Sequence, residues 1–182
     1  MNIHAFIDRL KKTVESTEQK LASIRTGRAN PDLLSRIMVD CYGSQVPIQQ
    51  LASISAQDGN MLLLNVFDRG SLESVAKAIQ RSDLGLTPQT DGNVIRLRLP
   101  ELTEQRRLEL VKVVKQQGEE GKVAIRNIRR DANSDFKSLL KDKEISEDEA
   151  RQAEDEIQKI TDSFVKQVDA LLADKEAELM EI

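Results

Sequence analysis

The sequence is poor in aromatic residues, which make up 3% of its 182 residues, and it contains no tryptophan and a single cysteine. The lone Cys41 excludes an internal disulfide and suits a reducing compartment. No apolar run approaches the ~20 residues that a membrane span requires. The N-terminus does not read as a signal peptide, because His4, Asp8 and Arg9 interrupt its apolar residues. These absences predict a cytoplasmic protein without a membrane segment.

Charge, by contrast, is abundant and unevenly distributed. Charged residues make up 32% of the chain, and the excess of Glu, Lys, Arg, Leu, Ala and Gln is typical of long helices. The formal net charge is −4. Residues 144–182 carry 13 acidic against 4 basic side chains, a net of −9, which leaves +5 on residues 1–143. This asymmetry indicates a polyanionic partner for part of the molecule.

One long helix is predicted over residues 102–143. Apolar or small residues recur at steps of three and four from Leu108 to Leu139, the spacing of a helix that packs lengthwise against partners. Gly118 and Gly121 fall on this face, and each weakens the helix by about 1 kcal/mol relative to alanine. They allow either close packing or a bend, and the sequence leaves both possibilities open.

The same helix carries a row of cations beside its apolar face. The row comprises Lys122, Arg126 and Arg129 and continues to the polar Asn133, with Arg130 just beside it. At about 100° per residue, the first four fall within roughly 60° of one another. Arginine presents a planar fork of donors that matches phosphate oxygens, and structured RNA is recognised largely by its shape and backbone. The row is therefore a candidate contact surface for RNA.

Two further amphipathic helices are predicted on either side of an α+β segment. One covers residues 2–26, and the other opens at a capping box, in which Ser146 is followed three residues later by Glu149. Three such helices bury their apolar faces by packing together, which predicts a three-helix bundle of residues 1–30 and 103–182. Residues 31–102 read as short strands, the first at 34–42, and one helix. The predicted fold class is α+β, a long three-helix bundle with an inserted small β/α/β domain.

Two short crossings connect the predicted inserted domain to the predicted bundle. Each contains a proline, which restricts the backbone. Such stiffened crossings predict a hinge of limited direction rather than a loose tether. The predicted hinge residues are Ala29, Asn30, Pro31, Pro100, Glu101, Leu102 and Thr103.

Four blocks of sequence, in this order along the chain, resemble the bacterial ribosome recycling factor family. They are IRTGRANP at residues 24–31, SDLGL at 82–86, IRNIRRDAN at 125–133 and KDKEIS at 141–146. The resemblance extends over essentially the whole chain. It implies an L-shaped molecule of the size of a transfer RNA, with a three-helix bundle and a β/α/β domain on a flexible elbow, in agreement with the architecture read from the residues.

The resemblance also implies a function and a set of contact residues. Family members bind the large subunit of the 70S ribosome after termination and, with elongation factor G and its GTP hydrolysis, split the post-termination complex. The smaller domain and the elbow would face elongation factor G and the small subunit, and a monomer is expected. With Lys122 added from the helical row, the expected ribosomal RNA contacts are Arg25, Arg28, Lys122, Arg126, Arg129 and Arg130. Arg129 matches the arginine that matters most in the family.

Other classes of function find less support in the sequence. The α+β segment lacks a paired acid–base constellation, so we predict no enzyme and no catalytic residue. The single His4 and the lone Cys41 do not form a metal site, and no glycine-rich phosphate loop occurs, so no cofactor is expected and GTP chemistry belongs to the partner. The alternative is a helical adaptor or regulatory protein that binds a protein partner through its charged bundle.

Overall fold

The computed structural model describes residues 2–181, so Met1 and Ile182, the outermost residues of the predicted bundle, lie outside the described chain. By packing, the chain divides into two compact units. Unit 1 contains the residues up to Leu21 together with Val111–Glu176. Unit 2 contains Ala22–Leu110 together with the residues from Ala177 onward.

The helices and strands make an α+β protein with a long helical bundle, as predicted. The helices are α1 (Ile3–Ala22), α2 (Leu72–Arg81), α3 (Glu104–Lys141) and α4 (Glu147–Met180). The strands are β1 (Met38–Cys41), β2 (Ser44–Pro47), β3 (Ala52–Gln57), β4 (Met61–Val66), β5 (Gln89–Asp91) and β6 (Val94–Arg98). No helix within residues 2–181 is long and apolar enough to cross a membrane.

Unit 1 is built from α1, α3 and α4 around a shared apolar core. The buried core residues of this cluster are Phe6, Leu10, Val14, Ile125, Ile128, Ala132, Ile157, Phe164 and Val168. On each helix they are spaced by three, four or seven residues, so one stripe of every helix faces the others. The predicted apolar face of α3 is wrong at its first residue, because Leu108 is 54% exposed, whereas Leu110 is buried.

The two glycines of α3 permit close helix packing. Both are buried, and α3 runs without a break from Glu104 to Lys141. A Cβ on Gly118 would overlap the side chain of Leu172 in α4, and a Cβ on Gly121 would lie 2.5 Å from Oγ1 of Thr17 in α1. Glycine thus gives up about 1 kcal/mol of helix propensity at each position and lets a neighbouring helix approach.

Side chains cap the first turns of α3 and α4. Thr103 Oγ1 accepts a hydrogen bond from the Arg106 amide at 3.1 Å and begins α3. At the start of α4, Ser146 Oγ accepts from the Glu149 amide at 3.1 Å, while Glu149 Oε1 accepts from the Ser146 amide at 3.3 Å. This reciprocal pair is the capping box that the sequence predicts.

Unit 2 contains the six strands found within residues 2–181, and every pairing among them is antiparallel. Strands β1 and β2 form a hairpin, and the other four form a sheet in the order β3-β4-β6-β5. Val75 and Ile79 of helix α2 are buried in the apolar core of this unit. The prediction of a strand from residue 34 is wrong, because Pro31–Leu34 forms a 3-10 turn whose first amide is capped by the Asn30 side chain, and β1 begins only at Met38.

The packing units divide the chain at different points from the predicted domains. Residues 22–30 and 103–110 belong to unit 2 together with the strands, and the unit boundaries fall within α1, α3 and α4. The predicted domain boundaries, 1–30 with 103–182 against 31–102, therefore stay a prediction.

Candidate nucleic-acid interface

The structure brings four of the six predicted RNA contacts together on one stretch of α3 in unit 1. These are Lys122, Arg126, Arg129 and Arg130. Burial of Ile125, Ile128 and Ala132 fixes the rotation of α3 about its axis, because these three residues are held in the core between the helices. The cations on the remaining sides of the helix are thereby held in a fixed arrangement over about two turns.

Two cations of this row are ion-paired with carboxylates. Lys122, the more buried of the two, forms an ion pair between its Nζ and Asp169 of α4. Arg126 Nη1 lies 3.2 Å from Glu119 Oε1, and both of these side chains are about half exposed. A phosphate that binds either cation therefore competes with a carboxylate already in place, and the exposed pair of Arg126 with Glu119 is weak enough to be displaced.

Arg129 and Arg130 differ from each other in their surroundings. Arg129 is partly buried, and its Nη1 donates to Gln158 Oε1 at 3.3 Å, while Gln158 Nε2 donates to Asp162 at 2.8 Å. Arg130 is exposed and has no ion-pair partner among residues 2–181. Arg129 is thus held in position by a neutral side chain, and Arg130 is open to an external anion.

The other two predicted contacts, Arg25 and Arg28, belong to unit 2. Arg28 is exposed and lies 2.7 Å from the carboxylate of Glu181. Arg25 is half-buried, and its Nε and Nη2 atoms are buried without a hydrogen-bond partner. Burial, and then the neighbouring Arg106 guanidinium, lower the pKa of Arg25 below its ordinary value.

The predicted hinge residues all lie inside unit 2, where both chain crossings contact the same turn. The Ala29 amide donates to the Gly59 carbonyl at 2.7 Å, and the Leu99 amide donates to the Asn60 carbonyl at 2.7 Å. Leu102 is buried, whereas Pro100 and Glu101 are exposed. The hinge at these residues stays a prediction.

Sequence reasoning missed the acidic and amide partners of the cations. Glu119 could have been found, because it lies seven residues, or about two helical turns, before Arg126 on the same helix. Asp169 and Gln158 lie on α4, so their positions depend on how α3 and α4 pack and carry no local signal. Within residues 2–181, no group of three or more His, Cys, Asp and Glu is arranged to hold a metal ion.

A helical bundle that carries a basic row, together with a small antiparallel sheet unit, places this chain in the α+β class of proteins. Comparison with known proteins then gives the family. The family model for ribosome recycling factor matches residues 17–180. The chain belongs to the ribosome recycling factor family.

Two solved structures are similar over nearly the full length of the chain. A solution structure of a ribosome recycling factor is 37% identical, with a TM-score of 0.77, and the alignment covers 100% of this chain and 99% of that one. The T. thermophilus ribosome recycling factor, in models of that factor and E. coli elongation factor G bound to the E. coli post-termination complex, is 45% identical with a TM-score of 0.70. That alignment covers 98% of this chain and 97% of the other.

Proposed function

We propose that this chain binds the large ribosomal subunit after termination and, with elongation factor G and GTP, splits the post-termination complex. Membership of the ribosome recycling factor family and the similarity to a factor bound with elongation factor G on the post-termination complex support this function. Ribosome recycling factor is a non-enzymatic factor, so GTP hydrolysis belongs to the partner. The chain acts in the cytoplasm as a monomer.

We further propose that the cation row of α3 contacts ribosomal RNA. The observation that carries this proposal is four cations on one stretch of a packed helix, with Arg130 free of ion pairs among the described residues. Arg25 and Arg28 extend the set of RNA contacts. If four phosphate contacts form, the slope of log affinity against log salt is roughly −3 to −4, which corresponds to about a hundredfold weaker binding at 200 mM than at 50 mM salt.

The experiment that tests this contact replaces Arg129 by glutamate. We expect Arg129→Glu to weaken binding to purified large subunits by about 10- to 100-fold and to reduce the salt slope by about 1, while helix content is unchanged. Arg151→Glu, an exposed position on α4, is the matched control and should keep full binding. Sedimentation of post-termination ribosomes with elongation factor G and GTP measures both binding and splitting. If Arg129→Glu binds as tightly as Arg151→Glu, the RNA contact is wrong.

A further inference from the structure

Unit 2 contains a cleft that the RNA contact does not use. Its volume is about 650 Å³, and one of its walls is formed by a face of α2. That face carries Ser74, Lys77, Ala78 and Arg81, which recur at the three- and four-residue spacing of one side of a helix. The buried side of α2 uses other residues, Val75 and Ile79, so α2 has a second face that no other part of unit 2 covers completely.

The floor of the cleft is apolar. Ile37, Ala78 and Leu84 are partly buried and pack against the core of unit 2. Met38, at the beginning of β1, is 47% exposed and lines the same cleft. An apolar group placed against these partly exposed side chains removes their apolar surface from water, and this burial favours binding.

The cleft is also lined by three cations and two carboxylates. Arg36 and Arg81 are exposed, line the cleft and form no ion pair among the described residues. Lys77 also lines it but is paired with Glu73 of the same helix at 3.2 Å. The two carboxylates belong to Asp40, which accepts a hydrogen bond from Gln45, and to Asp83. The two unpaired arginines are therefore the groups that remain available for an anionic partner.

We infer that this cleft binds an acidic amphipathic segment of a protein partner. Apolar side chains of the segment would cover Ile37, Ala78 and Leu84, as in helix-in-groove recognition. Its carboxylates would pair with Arg36 and Arg81, which present bidentate donors. An RNA strand fits less well, because its phosphate backbone offers no apolar group to cover Ile37, Ala78 and Leu84, and the cleft offers no aromatic ring on which a base can stack.

The test uses a fluorescein-labelled helical peptide of 14 residues with leucines at i, i+4 and i+7 and glutamates on both flanks. Its controls are the same peptide with every glutamate changed to glutamine and a single-stranded RNA of equal net charge. Binding to the full-length chain is measured by fluorescence anisotropy. We expect the acidic peptide to bind at least tenfold more tightly than its glutamine counterpart.

Variants assign the binding to the cleft. Arg36→Glu combined with Arg81→Glu should weaken peptide binding at least tenfold, and Ala78→Trp, which fills the floor, should do the same with an unchanged circular dichroism spectrum. Arg69→Glu, an exposed arginine of unit 2 outside the cleft, should have no effect. The inference is overturned if both peptides bind equally, if the double variant binds the acidic peptide normally, or if RNA binding depends on Arg36 and Arg81 as strongly as peptide binding does.

This inference goes beyond the proposed function and can fail separately from it. Arg129→Glu should leave peptide binding unchanged, because Arg129 belongs to unit 1 and the cleft is lined by residues of unit 2. The Arg36→Glu, Arg81→Glu double variant should keep large-subunit binding.

Discussion

Arg25 carries a charge that the fold stabilises poorly. Two of its nitrogens are buried without a hydrogen-bond partner, and Arg106 places a second positive charge nearby. A folded-state pKa below the ordinary value means that folding disfavours the charged guanidinium. Because arginine stays charged throughout the working pH range, the folded protein bears this cost at every working pH. Such a cost is typical of a residue kept for binding rather than for stability.

We therefore expect Arg25→Met to stabilise the protein by about 1 kcal/mol while it weakens ribosome binding. An apolar side chain of similar length removes the buried charge and packs in the cavity of about 180 Å³ beside Leu102 and Leu110. Urea unfolding and large-subunit sedimentation measure the two effects. Arg28→Met, which removes an exposed arginine paired with Glu181, should not raise stability. A less stable Arg25→Met protein would contradict this account.

Gly118 illustrates a residue whose role depends on a neighbouring helix. Alanine is the better helix former by about 1 kcal/mol, but its methyl group would overlap Leu172. Overpacking typically costs 1–3 kcal/mol, so Gly118→Ala should destabilise the protein by about 1–2 kcal/mol in urea unfolding. Adding Leu172→Ala removes the overlap, so Gly118→Ala should then be neutral or stabilising in that background. If it destabilises both backgrounds equally, the close contact is not the cause.

At the scale of elements, the capping box determines where α4 begins. Ser146→Ala removes the acceptor for the Glu149 amide and should cost about 1 kcal/mol of unfolding free energy. Ser163→Ala, at an exposed position in the middle of α4, is the control and should be neutral or slightly stabilising, because alanine favours the helix interior. Thermal unfolding followed by circular dichroism compares the two. Equal midpoints would show that the box contributes nothing.

Elements that depend on local chemistry could be predicted from the sequence. The beginnings of α3 and α4 follow from the side chains of Thr103 and Ser146, and α2 follows from its apolar spacing. The exposure of Leu108 and the late start of β1 could not be predicted, because the first depends on packing and the second on a 3-10 turn that competes with the strand.

The candidate site, too, could be predicted from the sequence only in part. The cation row of α3 is visible as a helical pattern, since it needs only the rotation of one helix. The burial of Arg25 and the pairing of Lys122 with Asp169 depend on residues distant in sequence, so no local pattern reports them.

At the scale of the whole molecule, the predicted hinge implies motion at the two crossings. Cysteines replacing Asn30 and Glu101, in a Cys41→Ser background, can be bridged with a short bis-maleimide. If these residues act as a hinge, the bridged protein should keep large-subunit binding and lose splitting with elongation factor G and GTP. The same cysteine variant without the bridge is the control. Undiminished splitting after complete bridging would refute the hinge.

The most direct test of the central claim, that the cation row of α3 holds ribosomal RNA, is an ionic-strength series. Large-subunit affinity is measured from 50 to 200 mM salt for the natural chain and for a variant with glutamine at residues 122, 126, 129 and 130. The natural chain should lose about a hundredfold in affinity over this range, and the variant should bind more weakly with a slope reduced by roughly 3 to 4. Equal affinities and equal slopes for the two proteins would contradict the account.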